Sequence, residues 1–116
     1  MSAQACTYCG VLSDTTDHVP ARSIRAAIRE HLPNRYVEVE VPACLECNSA
    51  IGARGLTLVQ RREIAKRAIE KKYRQILALP AWNENELDEL GPELHKDVEC
   101  HAVVKKWVKD RLAWSR

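Results

Sequence analysis

Apolar and polar residues alternate most clearly over 36–41, Tyr-Val-Glu-Val-Glu-Val, with the valines on one face. A period of two predicts a strand from Tyr36 to Val41, which Pro42 is expected to end. Between Arg22 and Leu32 the residues Ile24, Ile28 and Leu32 recur at every fourth position. That period predicts a short helix closed by Pro33-Asn34. Thr57-Leu-Val-Gln60 fits a capping box opening a longer helix, which runs to Leu79 before Pro80. Its buried stripe is expected to be Ala65, Ala68, Ile69, Ile76 and Leu77, with lysines and arginines opposite. Asn83 opens a further short helix carrying Leu87 and Leu90 and stopped by Gly91. Pro92 suits the first turn of a last helix toward Trp114. Leu94, Val98, Val108 and Leu112 form its packing stripe. Val103, Trp107 and Trp114 form a second one, suited to a helix pair or to self-association.

These elements predict an α+β chain: a small mixed core over residues 1–55 and a helical C-terminal extension over 56–116 packed on it as one compact unit. With 116 residues, 5% aromatics, no Phe and 29% charged residues, the core is short of large side chains. A bound metal would staple such a domain. No apolar run approaches the roughly 20 residues of a membrane span, and no basic and apolar leader precedes the first motif. The expectation is a soluble, cytoplasmic protein without a membrane partner.

Charge is arranged in blocks. Residues 53–74 hold eight Lys/Arg against two Glu, 80–101 hold seven Asp/Glu against Lys96, and 102–116 hold five basic residues against Asp110. A basic block suggests a polyanionic partner. The alternative is a solvated helix face neutralised by the acidic segment.

Four of the five cysteines form two matched pairs, Cys6-Thr-Tyr-Cys9 and Cys44-Leu-Glu-Cys47. In a reducing compartment such pairs point to metal, not to disulfides. Each pair sets two thiolates on one tight turn, so the four can hold one tetrahedral ion, with zinc expected before iron. Four thiolates close the coordination sphere, which makes the site structural. The stretch between the pairs exceeds ribbon spacing, so something has been inserted there.

That insertion carries Asp17-His18-Val19-Pro20, and Asn48 directly follows the second pair. Phosphodiester hydrolysis needs a divalent ion on hard oxygen ligands and a base to deprotonate water. Asp17 and the Asn48 amide oxygen offer one charged and one neutral ligand, and His18 offers the base. Neighbours on an extended segment point to opposite sides, so Asp17 can face the ion while His18 faces the water. Arg22, Arg54, Arg61 and Arg62 stand near in sequence, as phosphate contacts or as ordinary surface arginines.

Cys6-x-x-Cys9-Gly10, then Asp17-His18-Val19-Pro20, then Val41-Pro42-x-Cys44-x-x-Cys47-Asn48, resembles a zinc-knuckle HNH endonuclease. The resemblance covers roughly residues 6–55. It implies a ββα-metal core, His18 as general base, and Asp17 and Asn48 as ligands of a catalytic ion such as Mg²⁺ or Mn²⁺. Ile51 and Gly52 stand where the family often carries a further Lys or His, leaving a two-residue ligand set. The chain is also similar to small phage-type HNH proteins, some of which assist genome packaging. The implied activity is metal-dependent DNA cleavage, nicking or weakly sequence-specific. The alternative is a non-catalytic zinc-stabilised module that binds nucleic acid or a protein, for example a packaging partner.

Overall fold

The computed structural model describes residues 4–31 and 37–115, apart from the side chains of Glu84 and Leu87. In chain order the elements are β1 (Thr15–Val19), α1 (Arg22–His31), β2 (Val39–Ala43), α2 (Leu45–Ile51), α3 (Leu58–Lys72), α4 (Arg74–Leu77), α5 (Glu84–Asp88) and α6 (Pro92–Ala113). This is an α+β chain, with one two-stranded sheet among the described residues.

The strands pair antiparallel, with Asp17 opposite Val41, His18 opposite Glu40 and Thr16 opposite Pro42. The described strand starts at Val39, while Tyr36, Leu32, Pro33 and Asn34 lie outside the described residues. Pro42 does not end the strand as its missing N–H suggested. A two-stranded sheet leaves an unpaired edge on each strand, where a proline is tolerated. Its carbonyl also accepts the Thr7 N–H at 2.9 Å, tying the N-terminal turn to β2.

Helix α3 begins at the expected cap, with Thr57 Oγ1 accepting the Gln60 N–H at 3.2 Å. The Gln60 side chain reaches back one residue further than a capping box requires, accepting the Leu56 N–H at 2.8 Å. The helix does not run on to Leu79. Tyr73 leaves helical geometry (φ −106°, ψ 21°) and α4 resumes after it. The Tyr73 hydroxyl is held 3.0 Å from Glu46 Oε2, and its ring stands edge-on to Trp107 with centroids 5.7 Å apart. Asn83 and Pro92 open α5 and α6 as expected: Asn83 Oδ1 accepts the Glu86 N–H at 2.8 Å, and Pro92 is the first residue of α6.

The core is small and sulfur-rich. Cys6, Cys9, Cys44 and Cys47 pack with Tyr8, Ala43, Ile51, Ala65, Ile69 and Val108 in one buried cluster. Two expected stripes shift. On α3 the fully buried positions are Arg61, Ala65 and Ile69, so the stripe starts with a charge. On α6 only Val108 and Arg111 are fully buried, and Leu94 is 58% exposed. The radius of gyration is 18.6 Å, against about 13 Å for a compact domain of this length. The molecule is therefore elongated, with principal extents of 65 × 31 × 20 Å. No helix among the described residues is long and apolar enough to cross a membrane.

Arg61 and Asp17 form a buried ion pair at 2.6 Å, their side chains 1% and 3% exposed. Removing one partner of such a pair strands the other charge, a loss of about 3–5 kcal/mol. Asp17→Asn and Arg61→Met are each expected to lower the urea midpoint by a corresponding amount. The double substitution should destabilise by less than the sum of the two. Strict additivity in a double-mutant cycle would show that the pair is not coupled.

Candidate metal centre and the strand beside it

The N-terminal Cys-x-x-Cys is shaped as a tight turn. An isolated bridge pairs Ala5 with Leu12, Val11 O accepts the Cys6 N–H, and the Gly10 N–H closes back on Cys6 O at 2.9 Å. Gly10 has φ +79°, and a Cβ there would meet the Trp114 ring at 2.5 Å, so glycine is required twice over. The second pair is made by a strand running into a helix. Cys44 is the N-cap of α2, its Sγ accepting the Cys47 N–H at 3.4 Å.

The two turns meet. All four sulfur atoms lie within 4.8 Å of one another, and every one of these cysteines is buried. The Cys9 and Cys44 sulfurs are 3.7 Å apart. A tetrahedral ion with sulfur at ~2.3 Å has edges of ~3.8 Å, so the cluster can hold a metal ion such as zinc. Crowding the four thiols splits their acidities. Cys9 falls to about 6, because Cys44 and then Cys47 hydrogen-bond its thiolate. Cys6 falls well below the thiol range through the same partners. Cys47 is pushed up, by its bond to Cys44 first. Cys100, the fifth cysteine, is exposed and apart from the cluster.

The C-terminal helix closes the centre with a cation. Arg111 is 2% exposed, and its Nη2 lies 4.0 and 3.9 Å from the Cys44 and Cys47 sulfurs. Its Nη1 pairs with Glu46 Oε1 at 2.8 Å, and its guanidinium stacks on Trp107 at 4.4 Å. Glu46 also receives Lys72 Nζ at 2.8 Å. Burial works against ionising Glu46, but Lys72 and Arg111 outweigh it and hold the carboxyl below its ordinary range. Four thiolates around a dication leave a net charge of two minus, so a buried guanidinium beside two of them is electrostatically matched.

Asp17 and His18 stand on opposite faces of β1, and Asn48 reaches the strand at Thr15 and Thr16. Thr15, Asp17 and Val19 face the covered side of the strand, Thr16 and His18 the other. Asn48 reaches that strand from α2, its Nδ2 donating to Thr15 Oγ1 at 3.1 Å and Thr16 O at 3.4 Å. Asp17 is closely held. Arg61 donates Nε to Oδ2 at 2.9 Å and Nη2 to Oδ1 at 2.6 Å, and the Tyr8 hydroxyl donates to Oδ2. Burial, then the bond to Asp17, pushes the Tyr8 hydroxyl above its ordinary range and keeps it a donor. A carboxylate offers about four lone-pair sites. These bonds use three, and the one left is on Oδ1. His18 is half-buried, its Nδ1 3.2 Å from Glu40 Oε1 across the sheet.

The four arginines divide. Arg61 is corrected: it is fully buried, its Nη1 bound to Gly52 O and Arg54 O at 3.1 and 2.8 Å, so it cannot reach a nucleic acid. Arg62 is half-buried and donates to Thr7 O at 3.4 Å. Arg54 is exposed but folds back on the end of α2, donating to Ala50 O and Ile51 O. Arg22 is exposed at the start of α1. Sequence reasoning missed the parts played by Tyr8, Glu46, Arg61 and Arg111. One signal was available: Arg61 shares an i, i+4 stripe with Ala65 and Ile69, and Arg111 follows Val108 by three. A charge on an apolar face needs a buried partner.

Comparison with protein-family models, curated proteins and solved structures finds no match to this chain.

Purified protein is expected to carry one zinc per chain by elemental analysis and to lose it on Cys44→Ser. Arg111→Met should leave that stoichiometry intact but speed metal release to a chromogenic chelator by roughly tenfold, if the guanidinium is worth ~1.4 kcal/mol there. An unchanged release rate would mean that Arg111 acts on packing alone.

Proposed function

We propose that the chain is a zinc-stabilised, HNH-type hydrolase of phosphodiester bonds, with DNA as its substrate and His18 as the general base. The observation that carries this reading is the His18–Glu40 contact across the sheet. A carboxylate beside one ring nitrogen leaves the other nitrogen for proton transfer. Here Glu40 lies beside Nδ1 at 3.2 Å without a formed hydrogen bond to it, and Nε2 is the nitrogen that orients and deprotonates water in this reading.

A divalent ion, when bound, would neutralise charge on the scissile phosphate and the leaving oxygen. Its ligands in this reading are the free lone pair of Asp17 Oδ1 and the Asn48 amide oxygen. Asn48 is already held against the strand that carries Asp17, and the thiol cluster fixes α2, and with it Asn48, at the end of β2. Exposed Arg22 and Arg54 are the residues left to contact phosphate, and the basic block supplies the wider attraction to a polyanion.

A specific observation favours a second reading, the non-catalytic binding module. Asp17 is 2% exposed and already bonded to Arg61 and Tyr8, and His18 lies on the opposite face of β1. In that reading Asp17 is a structural carboxylate, and the protein binds nucleic acid or a packaging partner without cutting.

Nicking of supercoiled plasmid separates the two. In the hydrolase reading, wild type nicks only with added Mg²⁺ or Mn²⁺, and His18→Ala cuts at least about 10²-fold more slowly at equal zinc content. In the binding reading neither protein cuts with any divalent ion, while both retain DNA with a steep salt dependence. His18→Ala cutting at the wild-type rate would remove His18 as the base.

A further inference from the structure

Helix α6 and the segment before it leave an apolar groove open. Leu79 to Trp82 form one wall and the α6 face of Val98, Ala102 and Lys105 the other, around a volume of about 530 Å³. Trp82 is 42% exposed, and Leu94, one turn before Val98 on the same helix, is 58% exposed. Monomers rarely leave such a continuous apolar strip to water.

The charges along α6 indicate what covers it. The first part of the helix carries Glu93, Asp97 and Glu99 against Lys96, and the last part carries Lys105, Lys106 and Lys109 against Asp110, with Arg111 buried on Glu46. A second α6 laid parallel would set like charges side by side. Laid antiparallel about a two-fold axis near the middle of the helix, each acidic end meets a basic end, twice by symmetry. The apolar strips around Leu94, Val98 and Ala102 then face one another. A nucleic acid would be repelled by the acidic end. A purely acidic partner would match only the basic one.

We propose that a second copy of this chain docks antiparallel along the α6 groove, giving a two-fold dimer. The surface is separate from β1 and the thiol cluster, so this inference stands whichever functional reading holds.

The test is solution mass by light scattering and sedimentation over a concentration series, with zinc content and circular dichroism checked on each protein. Wild type is expected to pass from monomer to dimer mass as concentration rises. Lys106→Glu with Lys109→Glu, or Glu93→Lys with Asp97→Lys, should each weaken the dimer at least about tenfold. Mixing those two variants should restore a dimer between them, as should combining all four changes in one chain. Lys105 is left alone because its Nζ donates to Leu79 O and supports the groove wall. A folded wild type that stays monomeric throughout overturns the proposal. A dimer indifferent to both single-end reversals overturns it equally.

Discussion

The meeting of the Cys6–Cys9 turn with the Cys44–Cys47 turn is the constraint on which the rest of this chain depends. It joins segments 35 residues apart at the Cys9–Cys44 contact, and everything between them is thereby closed into a loop that contains β1, α1 and β2. Among the described residues the sheet has two strands, too few to be stable alone. Its register is held at one end, by the thiols at the foot of β2 and by the Thr7–Pro42 bond beside them. Without an ion, four buried thiols would have to share one small space. With one, the same crowding becomes coordination.

Two arginines carry the influence of this junction into the helical part. Arg61 from α3 reaches Asp17 on β1, and Arg111 from α6 reaches Glu46 and two of the thiols. Both are buried cations, and each is matched by an anion in the N-terminal half. The helices are thus attached to the small core by paired charge as well as by the apolar packing of Ala65, Ile69 and Val108. That fits a chain with no Phe and a core in which four of ten clustered residues are cysteines. Buried pairs of this kind add little net stability compared with apolar packing, but they are intolerant of losing one member.

How much was legible beforehand follows the same division. Local chemistry was readable: the Thr57 cap, Asn83 and Pro92 at helix starts, and the matched cysteine pairs each depend on neighbours a few residues away. The limits of β2, the break at Tyr73 and the burial of Arg61 depend on partners far along the chain, so no local pattern shows them. Pro42 reads as a strand end until it is known that it lies on the outer strand edge, where only its carbonyl is asked for, by the Thr7 N–H. Arg61 reads as a surface cation in a basic block until Asp17 is placed beneath it. The α6 stripe was read as packing throughout, yet apolar periodicity does not say whether the covering surface belongs to the same chain.

The face on which each residue of β1 falls then sets the terms of any chemistry. On the covered face Asp17 is enclosed by Arg61 and Tyr8, with Asn48 nearby at Thr15. On the other face His18 is half-buried, with Glu40 beside its Nδ1. A strand reverses side at every residue, so the dipeptide Asp17-His18 must divide its two groups between a dry, charge-paired interior and a wetter surface. Proton transfer suits the second environment, because a base must reach water. Charge pairing suits the first, because a carboxylate shielded from water holds a cation strongly, whether that cation is a guanidinium or a metal ion. The competition for Asp17 between Arg61 and a dication is therefore the physical question that separates a nuclease from a binding module in this fold.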